Sequence, residues 1–364
     1  MLETQKYLKS GKSLEDLKNE FAIDYRISNG KVSLKYNQIS SLMSEKICQE
    51  CRGLILRLDT WEIVCFGFTK FFNYMEGNAA KIDWNSSKAL LKLDGSNVNL
   101  YFDDHLDKWY FCTHAVPEAD MPNQLGFTFS NIAYMTLKDM DINVDNFLST
   151  LNKKYTYCFE LCNKLSQVYI YYPDSKLYLI GVRDNISLQE LDINEIATQI
   201  GLPVPEQYPL SSINDIVETV NSWDGKEKEG IVVIDKFFNR IKVKNINYVI
   251  KQSLVFSLPK SDRNIIKIIL IEEDDDIFAN CPTIIQEKII YYKDKINDLI
   301  KETKQNYEVT KHIDNMKEYA NVVTTMRWQA VLFMLKRNKV SSIEQYIKDN
   351  VNCNSFIDSI IQLC

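Results

Sequence analysis

The chain has 364 residues, 45% of them hydrophobic and 12% aromatic, and a net charge of −6. That length exceeds one ordinary core and suits two domains. The acidic balance excludes a protein that coats nucleic acid nonspecifically, but not an enzyme with a local basic cleft.

Met1–Ser10 lacks an apolar signal core, and no stretch approaches the about 18 apolar residues of a membrane helix. A soluble, cytoplasmic protein, monomeric and with no membrane partner, is expected. Nine cysteines in such a chain read as reduced thiols. Cys48 and Cys51 are spaced C-x-x-C, and Cys158 and Cys162 C-x-x-x-C. Three histidines give little help to a zinc site, so scattered buried thiols are the favoured reading.

In chain order, Leu54–Leu58 and Ile63–Gly67 predict a hairpin closed by Asp59–Glu62. Ala89–Leu93 predicts a strand, Asp94-Gly95-Ser96 a turn, and Val98–Phe102 the next strand. Lys154–Leu161, Gln167–Tyr172 and Leu177–Val182 predict three more. Gly230–Ile234 and Arg240–Val243 predict a second hairpin around Lys236–Asn239. Together they predict an α+β, antiparallel-rich domain over residues 1–255. After Pro259 the apolar spacing becomes helical. Pro282–Tyr307 and Asp314–Arg337 carry apolar stripes, Ser341 with Glu344 predicts a capping box, and a last helix spans Asn354–Leu363. Residues 256–364 are therefore expected to form a separate all-helical domain. The acidic run Glu272–Asp276 is the one charge block.

The chemistry centres on Leu91-Lys92-Leu93-Asp94-Gly95-Ser96-Asn97. A lysine at the end of an apolar strand, beside other cations, can act as an amine nucleophile. A K-x-D-G turn by itself is weak and is more often a solvated turn that arises by chance. Further on, Phe159-Glu160 closes a strand, and Glu229 precedes the apolar Gly230–Ile234. Lys242 and Lys244 share one strand face. Paired lysines beside a carboxylate suit a polyphosphate with its metal. The same lysines also fit an exposed edge strand, and Glu229 an ordinary turn in the charged stretch Lys226–Glu229.

The order Lys-x-Asp-Gly, Phe-Glu, Glu-Gly-apolar, Lys-x-Lys resembles the covalent nucleotidyltransferases, which comprise DNA ligases, RNA ligases and mRNA capping enzymes. Upstream, Cys51-Arg52-Gly53-Leu54-Ile55-Leu56 and Thr69-Lys70-Phe71-Phe72-Asn73 make it similar to the phage-type ATP-dependent tRNA-repair RNA ligases. Tyr169-Ile170 and Ile180-Gly181-Val182-Arg183 fit the same family. The resemblance spans about residues 30–250.

The resemblance implies an ATP-grasp-like ligase domain that joins RNA 5′-phosphate and 3′-hydroxyl ends, with nicked tRNA as the substrate it suggests. Lys92 would attack the α-phosphorus of ATP and carry AMP. Asp94 and Gly95 would shape the turn beneath the nucleotide, and Glu160 would meet the ribose hydroxyls. Glu229 and Asp274 would support Mg²⁺ or Mn²⁺. Lys242 and Lys244 would contact the α-phosphate and the leaving pyrophosphate, Arg52 and Lys70 the outer phosphates. Tyr36 would contact the nucleotide, and Tyr248 matches a further functional tyrosine. A neutral Lys92 is expected, with Mg²⁺, Arg52, Lys242 and Lys244 disfavouring its charged form. Phe111-Cys112-Thr113-His114 departs from the family, which often has lysines there. In that family the C-terminal region guides tRNA choice. A DNA ligase or capping enzyme would instead continue into an OB-fold. An inactive RNA-end-binding module is the non-enzymatic alternative.

Overall fold

The computed structural model describes residues 1–38, 40–123, 125–249, 261–270, 283–351 and 353–363. It divides into two compact units, Met1–Ile250 and Lys251–Cys364.

The first unit contains three sheets. Strands β1 (Ile23–Ser28), β2 (Lys31–Tyr36), β3 (Arg52–Arg57) and β4 (Ile63–Cys65) form an antiparallel meander in that order. The expected hairpin is therefore present, tightened by Arg57 N–H donating to the Glu62 carbonyl at 2.9 Å. The elements β5 (Phe72–Asn73), β6 (Lys88–Lys92), β7 (Ser96–Asp103), β8 (Lys108–Cys112), β9 (Tyr155–Cys162), β10 (Lys176–Asp184), β11 (Glu190–Leu191), β12 (Gln207–Tyr208), β13 (Gly230–Ile234) and β14 (Arg240–Lys244) follow. They build two five-stranded sheets, ordered β11-β10-β9-β7-β8 and β12-β6-β13-β14-β5. All their pairings are antiparallel except β14 with β5.

Each sheet hides one face under helices. Phe129–Asp139, Val144–Thr150 and Ile193–Ile200 cover the β7–β11 sheet through a core that includes Leu100, Phe111, Ile132, Leu137, Phe159 and Leu179. Ile213–Ser222, started by Ser212 accepting from Asp215 N–H at 3.2 Å, packs on Ile231, Val233, Ile241 and Val243. Six cysteines of this unit, Cys48, Cys51, Cys65, Cys112, Cys158 and Cys162, are buried free thiols.

Gln167–Tyr172 is not the strand its apolar, β-branched content predicts. A 3₁₀ turn, Lys164–Ser166, precedes it, and the segment then runs as an irregular loop. The N–H groups of Tyr169 and Ile170 are taken by the Asp94 carboxylate, so they never join a ladder.

The second unit is helical throughout its described residues: Asp262–Leu270, Thr283–Thr310, Met316–Val323, Gln329–Lys336, Ile343–Asn350 and Asn354–Leu363. Its core joins Ile266, Ile296, Leu299, Trp328, Val331 and Ile360. Two expectations are corrected. The stripe over Asp314–Arg337 is two helices, because Trp328 takes a left-handed conformation (φ 54°) and buries its indole against Phe356. The last but one helix is capped by Ser342, accepting from Gln345 N–H at 3.1 Å, rather than by Ser341. No helix among the described residues is long and apolar enough to cross a membrane.

Candidate active site

Lys92 ends β6, and the chain then leaves for another sheet. The Asp94-Gly95 turn is the crossing point, so Lys92 lies where two sheets diverge. Gly95 permits the crossing: a Cβ there would lie 2.6 Å from the Leu161 carbonyl oxygen of β9. Its N–H donates to Glu160 Oε1 at 3.1 Å, which fixes that carboxylate beneath the turn.

Asp94 is 3% exposed and fully engaged. Its Oδ2 accepts from Tyr169 N–H (2.9 Å) and Ile170 N–H (2.5 Å), and its Oδ1 from the Tyr248 hydroxyl at 2.7 Å. Its own N–H donates to the Tyr172 hydroxyl at 3.0 Å. The side chain is thus a brace for the turn, and Tyr248, wholly buried, is part of it.

Glu229 is the hinge of the site. The β13 register places Gly230 between Lys92 of β6 and Lys244 of β14. Glu229, 3% exposed, therefore receives Lys92 Nζ on Oε2 and Lys244 Nζ on Oε1, each at 2.8 Å. The closeness of β14 demands the glycine, since a Cβ on Gly230 would meet the Val243 carbonyl oxygen at 2.1 Å.

Charge is unevenly distributed. Arg52, Lys70 and Lys242 have no carboxylate within 4.0 Å among the described residues, whereas Lys92 and Lys244 share Glu229. Phe71 links two of the free cations, with Arg52 and Lys242 each 5.8 Å from its ring centre. Thr69-Lys70-Phe71-Phe72-Asn73 reaches this place because β5 pairs in parallel with β14, Asn73 opposite Lys242. Lys70 Nζ donates to the Tyr36 hydroxyl at 3.2 Å. Burial and the neighbouring Lys70, Lys244 and Lys92 push Lys242 down to about 8. Burial, then Glu229, push the Glu160 carboxyl up to about 7, against the pull of Lys92.

Lys92 corrects an expectation. Burial does favour its neutral form, but Glu229 and Glu160 outweigh it, so its pKa lies above the ordinary value and the ammonium is held. Of the cations expected to deprotonate it, Lys244 shares Glu229 with it, and Arg52 and Lys242 act more weakly than these carboxylates.

Tyr36, Arg52, Lys70, Lys92, Asp94, Gly95, Glu160, Glu229, Lys242, Lys244 and Tyr248 are thus joined through direct contacts and electrostatic coupling. Asp274 and the acidic run around it lie outside the described residues. Four participants were not singled out from the sequence: Tyr172, Lys35, His114 as a site residue, and Phe71 as a platform. Tyr169-Ile170 was marked only by resemblance. No pattern within the sequence says that its N–H groups meet Asp94.

A strand-end lysine bound to a buried carboxylate, with Lys242 and Lys244 beside it, gathers positive charge at one place in an acidic chain. Residues 50–248 match the family described as RNA ligase, and the chain belongs to that family. A protein of Autographa californica nuclear polyhedrosis virus, named as a bifunctional polynucleotide kinase/RNA ligase, is 23% identical over 94% of this chain. The chain spans about half, 51%, of that relative's length. Among solved structures, a mutant Naegleria gruberi RNA ligase with ATP and Mn is 16% identical, with a TM-score of 0.37 over 46% of this chain and 52% of that one. The same ligase with PPi is 15% identical, with a TM-score of 0.35 over the same shares.

Proposed function

We propose that this chain is an ATP-dependent RNA ligase that joins 5′-phosphate and 3′-hydroxyl ends through a lysyl-AMP intermediate on Lys92. The observation that carries this reading is the Lys92–Glu229–Lys244 bridge beside three cations without carboxylate partners. An acidic protein that concentrates unpaired positive charge around one lysine has built a place for a polyanion. Family membership supplies the reaction class.

Adenylylation forms a bond from Lys92 Nζ to the α-phosphorus of ATP and breaks the bond to pyrophosphate. Lys92 must first lose the proton that Glu229 and Glu160 hold. Lys242 and Lys244, one strand face beside Lys92, would offset charge on the α-phosphate and leaving group, Arg52 and Lys70 on the outer phosphates. Tyr36 would meet the nucleotide. Next, an oxygen of the RNA 5′-phosphate attacks the same phosphorus, breaking the P–N bond and returning the amine. The 3′-hydroxyl then attacks the RNA 5′-phosphorus, sealing the strand and releasing AMP.

Glu229 would support a divalent cation, Mg²⁺ or Mn²⁺, and Glu160 would meet the ribose hydroxyls. Burial raises the Glu160 pKa and Glu229 adds to it, a repulsion that a cation on Glu229 would relieve. Such an ion would compete with Lys92 for Glu229 and would neutralise phosphate charge. Asp274 is proposed as a second metal residue. We read residues 1–255 as an ATP-grasp-like nucleotidyltransferase domain and 256–364 as an RNA-specificity module, with nicked tRNA the substrate and an infected cell's cytoplasm the setting.

The test is covalent labelling. With Mg²⁺ and α-labelled ATP, the protein should retain label after denaturation, GTP should not replace ATP, and Lys92→Ala should retain none. Label persisting in Lys92→Ala would assign the nucleophile elsewhere. Chelation should abolish labelling.

A further inference from the structure

Among the described residues, His114 Nε2 is one of six buried side-chain polar atoms with no hydrogen-bond partner, and it lies beside the unpaired cations Arg52, Lys35 and Lys70. A histidine placed for packing satisfies its buried ring nitrogens, since leaving one unmade costs stability. We propose that His114 is a phosphate-binding residue whose Nε2 completes, with Arg52, Lys35 and Lys70, a pocket for a phosphate group of the substrate. The proposal rests on the ligase reading above.

Four chain segments build the pocket. Lys35 lies opposite Arg52 across β2 and β3, and Tyr36 N–H donates to the Cys51 carbonyl at 2.7 Å. Lys70 is tied in by its N–H to the Gln49 carbonyl at 2.9 Å. His114 follows β8 and presses on β3: a Cβ on Gly53 would lie 2.8 Å from its Cα, and Gly53 has a left-handed φ of 79°. The ring is held at that point by a tight turn. Thr113 N–H donates to the Val116 carbonyl at 3.0 Å, and Thr113 Oγ1 accepts from Val116 N–H at 3.2 Å. No carboxylate lies within 4.0 Å of Arg52, Lys35 or Lys70 among the described residues.

Burial and the three cations hold His114 well below the usual histidine range, so the imidazole is neutral. A neutral ring with its proton on Nε2 donates to a phosphate oxygen without adding a fourth unpaired cation beside Arg52, Lys35 and Lys70.

The phosphate has two sources, the outer phosphates of ATP or the 5′-phosphate of RNA, and two assays separate them. Self-adenylylation is followed against ATP concentration. Single-turnover AMP transfer to a 5′-phosphorylated RNA is followed from enzyme already adenylylated. Wild type is compared with His114→Ala, His114→Gln and His114→Asn. The Gln amide nitrogen reaches the Nε2 position, whereas the Asn amide mimics Nδ1. With ATP as source, His114→Ala raises KM for ATP about 10–100-fold with kcat nearly kept. With RNA as source, labelling is unchanged and transfer slows by a similar factor. In either case Gln restores most of the loss and Asn little. Wild-type rates in all three variants overturn the proposal. So does an equal loss in all three accompanied by a lower Tm, which marks a packing role. Wild-type enzyme that takes no label at all sinks the ligase reading instead.

Discussion

At the scale of single residues, one carboxylate does a different job from the others. Asp94 satisfies two backbone N–H groups and a buried phenol, so it is part of the scaffold. Asp94→Ala strands three buried donors and should cost about 3–5 kcal/mol, read by urea unfolding. A cost below 1 kcal/mol would show that the loop is held by other contacts. Glu160 makes a pH prediction. Its folded pKa lies near 7 against an ordinary 4.5, so the folded chain binds the extra proton between those values. Stability therefore falls as pH rises through that window. Glu160→Gln removes the penalty and should raise stability at pH 8 by about 1–2 kcal/mol, with the gain vanishing near pH 4.5. A gain independent of pH would refute the assignment. Lys92 teaches the same lesson from the other side. Its type and place at a strand end were legible, but its protonation was not, because that depends on carboxylates 68 and 137 positions away.

At the scale of elements, β13 sets the site. Its register alone puts Lys92 and Lys244 on opposite sides of Glu229. Gly230→Ala must push β14 away, because the new methyl would overlap the Val243 carbonyl. AMP labelling should fall by roughly 10²-fold or more, through lost positioning. Unchanged labelling would mean that the lysines need no fixed register. Both hairpin strands around Lys236–Asn239 were readable, since Gly230–Ile234 is a β-branched run bounded by a turn. Gln167–Tyr172 has the same composition and is a loop, because its N–H groups are claimed from outside. Local propensity fails where a distant acceptor competes with the ladder.

At the scale of the molecule, the first unit must hold three sheets in one arrangement. A buried charge network joins two of them: Asp103 of β7 accepts from Lys31 Nζ of β2 at 2.5 Å and from Arg57 of β3 at 2.6 Å. Both Lys31 and Asp103 are fully buried. Asp103→Ala takes from the buried Lys31 its shorter ion pair and leaves it only Glu118, 3.5 Å away, and should cost about 3–5 kcal/mol by thermal or denaturant unfolding. The double change Lys31→Met with Asp103→Leu should recover most of it, and failure to recover would mean the network's shape matters more than its charge.

The amino-acid sequence by itself determined several strands of the first unit, the helical texture after Pro259, and the motif residues that the fold brings together. These depend on periodicity, turn chemistry and motif order, which are local. Only the tertiary structure decided that β6 and β7 part into different sheets at Asp94-Gly95, that Asp94 is a brace, that Lys92 is held charged, and that His114 Nε2 faces unpaired cations. Each is a contact between residues far apart in the chain, where burial and neighbouring charge, rather than residue type, set the chemistry.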